Sequence, residues 1–480
     1  MDITELAINR TTTVKEALVC LNNTGLGILF VIDQDSKLIA TLTDGDIRRA
    51  LLIDYNIDSH VEVAMNSNFV SFNIDTEKSV ILEKLSQSLK IIPITNHENK
   101  LVDFASINKI KKISVAEPLL TGNELLYVAD CLKTNWISSQ GKYVLEFEKL
   151  FEDYHNGMKS LAVSNGTVAL HLALLSLGIG LGDEVIVPNL TFAASVNAIL
   201  YTGATPILVD VDLETWNIDF TKIESKINSR TKAIMPVHLY GHPCEMSKIY
   251  EIAKNYNLKI IEDCAEALGS YYENNPVGTF ADVATFSFYG NKTITTGEGG
   301  MLIFKDSKTR EYASVLRDHG MEKNRRYWHS HVGYNYRLTN IQAAIGVAQF
   351  EKLQEFVSAK RKIAEMYNSF LSKYEYFQIP AEKNNCHSSY WLYTFLIVEA
   401  APFKREELMN YLNNLGVETR PVFFPINIMP PYLQYGKHEE LLVSNQISNS
   451  GMSLPSSANL TQDEILYICN GVESFIKKYI

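Results

Sequence analysis

Long apolar runs, paired cysteines and a positive charge balance are all missing from this 480-residue sequence. No stretch approaches the roughly 20 apolar residues needed to cross a bilayer. The most apolar one, Val168 to Gly182, is interrupted by His171 and Ser176, so no membrane association is expected. Six cysteines (Cys20, Cys131, Cys244, Cys264, Cys386, Cys469) contain no CxxC pair. They read as reduced thiols of a cytoplasmic protein, not as a disulfide scaffold or a metal site. Lys and Arg number 44 against 55 Asp and Glu, a net charge of −11, and so acidic a chain lacks the electrostatic footprint of a nucleic-acid binder. A phosphate can still be held locally, because backbone amides at a helix start need no net positive charge to do it. The acidic start Met1-Asp2-Ile3-Thr4-Glu5 is not that of a secretory signal.

What is present is a globular composition, 46% hydrophobic and 21% charged, in a chain long enough for about three domains at roughly 150 residues each. The first 110 or so residues carry one pattern twice. Val14, Ala17, Leu18 and Leu21 have helical spacing and lead into the apolar run Gly27–Ile32. The turn Asp33-Gln34-Asp35-Ser36, the run Leu38–Leu42 and a helix from Asp46 follow. The second copy has Val80, Leu82, Leu85 and Leu89, then Ile91–Ile94, the turn His97–Lys100, and Leu101-Val102. A helix–strand–turn–strand–helix unit used twice is an internal repeat. It resembles a tandem pair of cystathionine-β-synthase (CBS) domains over residues 1–108. In such pairs a Thr and an Asp three residues apart hold a nucleotide's phosphate and ribose, and Thr43 and Asp46 fit that pattern. The same residues also suit a helix cap, with Asp44 or Asp46 accepting backbone N–H bonds. The second copy, Phe104 to Asn108, lacks the pair. The linker 108–113 is short and basic, which predicts that the modules touch.

Beyond Pro118 short apolar strands alternate with helical stretches. Glu184–Val187, Thr205–Val209, Ala233–Val237 and Leu258–Ile261 read as strands, and Ile249, Ile252, Ala253 and Tyr256 recur at helical spacing. This alternation predicts an α/β fold with a mostly parallel sheet built from residues about 160 to 305. After about 350 come a long helix, Lys352 to Leu371, and a smaller α+β region.

One loop stands out. The apolar strand around Phe286 runs directly into Tyr289-Gly290-Asn291-Lys292-Thr293-Ile294-Thr295-Thr296-Gly297-Glu298-Gly299-Gly300. A loop lysine is usually a solvated charge. This one follows a strand, where open α/β sheets place ligands, and lysine forms Schiff bases with carbonyl cofactors. Pyridoxal 5′-phosphate (PLP) also needs a carboxylate for its ring nitrogen, an anion cup and an aromatic face. Asp263 at a strand end, the turn Ser164-Asn165-Gly166-Thr167 opening a helix, and Phe192 just past a strand supply all three.

Residues 113–480 resemble the DegT/DnrJ/EryC1/StrS sugar aminotransferases, PLP enzymes of the aspartate-aminotransferase fold type (fold type I). The resemblance rests on Trp136-Ile137-Ser138-Ser139, the segment Val163–Leu174, Val237–Cys244, Ile261–Ala267, the lysine loop, Gly333–Ile341 and Glu418–Pro425. It implies a large PLP-binding domain over 113–360 with a mostly parallel mixed sheet, and a small C-terminal α+β domain over 361–480. By that resemblance Lys292 binds the cofactor covalently and carries the proton, and Asp263 pairs with the ring nitrogen. Phe192 stacks on the ring, while Gly166, Thr167 and Ser287 hold the phosphate. Asn335 reaches the cofactor of a neighbouring subunit, which implies at least a homodimer. Glu266 lies near the ring hydroxyl, where many relatives carry Gln or His and the perosamine-forming branch carries Glu. A branch with His in place of the lysine dehydrates its substrate, and Lys292 argues against it. The implied reaction moves an amino group from L-glutamate to a nucleotide-linked 4-keto-6-deoxy sugar, a GDP-linked one first, with UDP- and dTDP-linked sugars as alternatives. A reading of another class is a CBS nucleotide sensor with a non-catalytic aminotransferase-like domain.

Overall fold

Apolar, β-branched runs fold as strands in both of the units into which the chain divides, Met1–Ile113 and Ser114–Ile480. The computed structural model describes residues 3–85, 89–106, 109, 112–436 and 441–479. In the front unit β1 (Ala7–Asn9), β2 (Ile28–Ile32) and β3 (Leu38–Thr43) form one sheet. β4 (Phe72–Asn73), β5 (Ile91–Thr95) and β6 (Leu101–Ser106) form another. In each, the first pair is parallel and the second antiparallel. The hairpin turns repeat atom for atom. Asp33 Oδ1 accepts from the amides of Asp35 and Lys37, as Asn96 Oδ1 does from Glu98 and Lys100. Ser36 and Asn99 take the left-handed conformation, φ 62° and 64°. Residues 107, 108, 110 and 111, which include the end of the second cleft and half of the linker, lie outside the described residues.

The helix after β3, Asp44–Leu51, begins two residues earlier than its pattern suggests, and its cap is Thr43, not an aspartate. Thr43 Oγ1 accepts from the Asp46 amide while Asp46 Oδ2 accepts from the Thr43 amide. This reciprocal pair is a capping box with Asp in the third position.

The back unit is built on a seven-stranded sheet. β7 (Lys159–Val163), β8 (Glu184–Pro188), β9 (Thr205–Val209), β10 (Thr231–Ile234) and β11 (Lys259–Asp263) come first. Two short strands, β12 (Tyr271–Tyr272) and β13 (Asn275–Pro276), intervene before β14 (Val283–Ser287) and β15 (Gly300–Phe304). The order is β7-β15-β14-β11-β10-β8-β9, and every neighbouring pair is parallel except those made by β15. β10 ends at Ile234, short of the expected Val237, because Pro236 has no N–H to continue the ladder.

The helix Gly166–Ser176 is apolar on nearly all sides and is buried against this sheet with the helices Ala194–Tyr201 and Ser307–Arg317. The helix Leu353–Leu371 leads to a four-stranded antiparallel sheet of β16 (Phe377–Gln378), β18 (Tyr393–Ile397), β20 (Gly451–Leu454) and β19 (Arg420–Pro421). Between them β17 (Cys386–His387) pairs with β12. Among the described residues no helix is long and apolar enough to cross a membrane.

Candidate active site

Because β7, β8, β11 and β14 run the same way, their carboxyl ends open on one edge of the sheet, where α/β proteins bind ligands. A cavity of about 680 Å³ lies there, lined by Gly166, Thr167, Phe192, Asp263, Glu266, Ser287 and Lys292. Seven of the residues expected from the sequence are thereby gathered in one place. Asn335 is not among them. It is exposed, and its carbonyl oxygen accepts from Arg337 Nε at 3.2 Å.

The floor of the cavity is the start of the helix Gly166–Ser176. Asn165 caps it by accepting from the Val168 amide at 3.0 Å. The amides of Gly166 and Thr167 belong to the first turn, which has no intrahelical partners. Glycine at 166 is required by proximity: a Cβ there would stand 2.7 Å from Ser287 Cβ. The helix start can therefore sit directly against the Ser287 hydroxyl, and amides, hydroxyl and helix dipole together form an anion cup.

Asp263 ends β11 and is buried. Burial raises its pKa, opposed by the Ser195 hydroxyl donating to Oδ2 at 2.8 Å, the Ala265 amide at 3.1 Å, and the charges of Lys292 and His238. Thr191 in turn shares a hydrogen bond with Ser195 at 2.9 Å, so the carboxylate is held rigidly. Glu266, also buried, accepts from the Tyr240 amide at 2.9 Å. Its pKa is pushed up to about 7, mainly by burial and slightly by Asp263, against the pull of Lys292 and the Tyr240 amide. Lys292 Nζ is 3.9 Å from Glu266 Oε1. Burial lowers its pKa, and Glu266 and Asp263 partly restore it. A largely buried amine with a depressed pKa is what a Schiff-base lysine requires.

Phe192 projects into the cavity beside Phe423, ring centres 5.7 Å apart. Phe423 stacks on Tyr240 at 5.4 Å and Tyr240 on Trp391 at 6.0 Å, giving a continuous aromatic wall. The sequence reading assigned no role to Ser195, Tyr240, Trp391, Arg420 or Phe423. Tyr240, Arg420 and Phe423 lie inside segments matched to the family and could have been singled out there.

An anion cup, a strand-end carboxylate, an aromatic face and a buried lysine fit PLP, and they define a fold type I PLP-dependent enzyme. The profile of the DegT/DnrJ/EryC1/StrS aminotransferase family matches residues 118–473, and the chain belongs to that family of PLP-dependent sugar aminotransferases. A CBS-domain profile matches residues 2–53. The chain is 50% identical to GDP-perosamine synthase of Escherichia coli O157:H7 over 367 residues, 76% of this chain and 99% of that protein. It is 47% identical to GDP-perosamine synthase of Caulobacter vibrioides over 75% of this chain and 97% of that one. Among solved structures, Helicobacter pylori PseC, an aminotransferase of pseudoaminic acid biosynthesis, superposes with a TM-score of 0.73 at 29% identity, covering 77% of this chain and 100% of that one. The PLP form of Streptococcus pneumoniae Spr1654 superposes at 0.72 and 27% identity with the same coverages. Membership in an enzyme family displaces the reading of the chain as a non-catalytic sensor.

Proposed function

We propose that this enzyme transfers the amino group of L-glutamate to C4 of GDP-4-keto-6-deoxymannose, giving GDP-perosamine and 2-oxoglutarate, and that it works as a homodimer. The observation that carries the chemistry is the meeting of Lys292, Asp263 and Glu266 in one cavity. The choice of sugar nucleotide is supported by 50% identity to a GDP-perosamine synthase along almost its whole length.

When bound, the cofactor supplies the electron sink that lets a proton leave carbon. The residues do the rest. Lys292 would hold the cofactor covalently, and its amine would take and return the proton at the reacting carbon. Asp263, fixed by Ser195 and Ala265, would keep the ring nitrogen protonated. Phe192 would supply the aromatic face, Gly166, Thr167 and Ser287 would hold the phosphate, and Glu266 would serve the ring hydroxyl. Asn335 would serve the cofactor of a second copy. Exposed Leu125, Leu126, Leu132, Trp136, Ile137 and Leu145 are apolar surface that such a copy would cover. For the front unit the proposal is a regulatory nucleotide site at Thr43 and Asp46, supported by the CBS match.

Purified enzyme, glutamate and each of the GDP-, UDP- and dTDP-linked 4-keto-6-deoxyhexoses test the proposal. Turnover confined to, or far faster with, the GDP sugar is expected. Preference for a UDP or dTDP sugar would overturn the choice of substrate.

A further inference from the structure

Trp391 touches the lysine loop at two neighbouring residues, Asn291 and Lys292. Its indole face lies against the ammonium, with Lys292 Nζ 3.8 Å from the ring centre. Its Nε1–H donates to the carbonyl of Asn291 at 2.7 Å. One side chain therefore restrains both the backbone just before Lys292 and the far end of its side chain.

The indole is itself unusually well held. Tyr240 stacks on it with the rings 10° from parallel. Buried Lys360 donates to the Trp391 carbonyl at 3.0 Å and to the Ser456 carbonyl at 2.7 Å. The residues bracketing the indole, Tyr240 and Tyr390, both have left-handed backbones, φ 52° and 46°. Gly241 completes the seam: a Cβ there would meet Ser389 Oγ and the Tyr390 amide at 2.8 Å. Bulky residues stay in so disfavoured a conformation only where their surroundings over-determine it, and such positions gather at functional sites.

We propose that Trp391 is a positioning residue for transamination, whose indole keeps the Lys292 side chain beside Glu266 while the lysine is detached from the cofactor. The proposal rests on the reading of Lys292 as the cofactor lysine. A freed lysine has a flexible four-carbon stem and can leave its place between one proton transfer and the next. A ring face attracts the ammonium electrostatically without competing for its proton. A third carboxylate would hold the ammonium more tightly but raise its pKa further, leaving less free amine to take a proton. The charged groups around the amine are Glu266 and Asp263 on the cofactor side, Arg420 and Glu298 elsewhere in the wall of the same cavity, and Glu117 and Lys360 lining a small adjoining one.

Two variants separate the contacts: Trp391→Phe keeps a ring face without the N–H, and Trp391→Leu removes both. In cofactor-free protein, the pH dependence of Lys292 acetylation by acetic anhydride, read by peptide mass spectrometry, reports the amine directly. Losing the ring face should lower the midpoint by about half a unit to one and a half units in the Leu variant, and by less in the Phe variant. In PLP-loaded enzyme, the single-turnover reaction with glutamate, followed by loss of the visible band, should slow about tenfold or more in the Leu variant. The Phe variant should recover most of that rate. A Leu variant with the wild-type midpoint and half-reaction rate would overturn the proposal. Wild-type protein that gains no visible band on PLP addition would instead overturn the assignment of Lys292, and the acetylation profile would still judge its contact with Trp391.

Discussion

Replacing Glu266 by Gln should change how the stability of the cofactor-free enzyme depends on pH. Glu266 is 4% exposed, and its pKa stands at about 7 against 4.5 for an unperturbed glutamate. Below pH 4.5 the group is protonated in both folded and unfolded chains and affects neither. As pH rises from 4.5 to 7 the unfolded chain releases this proton while the folded chain keeps it, so stability falls. Above 7 the loss is complete. At about 1.4 kcal/mol per pH unit the full loss is about 3 kcal/mol. Gln cannot ionise, so the stability difference between variant and wild type should grow by that amount between pH 4.5 and pH 8. Neutralising Glu266 also deprives Lys292 of its nearest counter-charge, which trims the gain. The change with pH is therefore the quantity to measure. The four tryptophans, 136, 216, 328 and 391, all lie in the unit Ser114–Ile480, so urea unfolding followed by their fluorescence reports that unit alone. Parallel pH profiles for the two proteins would refute the argument.

Three other outcomes are expected. Lys292→Ala should still take up PLP through the anion cup but show no borohydride-sensitive visible band and lose transamination by several orders of magnitude; near-normal turnover would contradict its role. Mixing Lys292→Ala chains with chains carrying Asn335→Ala should restore activity after subunit exchange if Asn335 serves the neighbouring site, because one site of each mixed dimer then has no lesion. Asp46→Ala removes the third-position half of a capping box and should cost about 0.3–1.5 kcal/mol of stability in the front unit, seen by calorimetry. Titrating full-length protein with adenine and guanine nucleotides then distinguishes the two roles of Asp46, since a pure cap leaves binding unchanged.

The residues legible in the sequence were those whose local context announces a strand end. Asp263 closes an apolar run, Gly166 follows one through a short polar turn, and Lys292 lies in a Gly- and Thr-rich loop just after another. Each needed only its neighbours to be read, and the parallel sheet then brings such ends together. Trp391 could not be read this way. It reaches Lys292 from the far side of the helix Leu353–Leu371, a hundred or so positions on, in a stretch whose periodicity says only that it is apolar. Ser195 reads as an ordinary helix residue until β8 and β11 set it against Asp263. In the front unit, Asp46 was ambiguous for a chemical reason: the oxygens that would hold a ribose are the ones a helix start uses.

β15 is the one strand of the large sheet that runs backwards, and this has a consequence for the lysine loop. Ser287 and Gly300, the two ends of that loop, face each other on the same rung of the ladder, so the loop leaves and re-enters the sheet at almost one point. Within the loop the Phe288 amide donates to the Gly299 carbonyl at 2.8 Å and the Thr296 amide to the Phe288 carbonyl at 3.0 Å, while Ile294 is packed in the core. The reacting amine is thus carried on a closed, packed excursion from a single rung. A change in the length of that excursion would leave the strand register alone and fall on the position of Lys292.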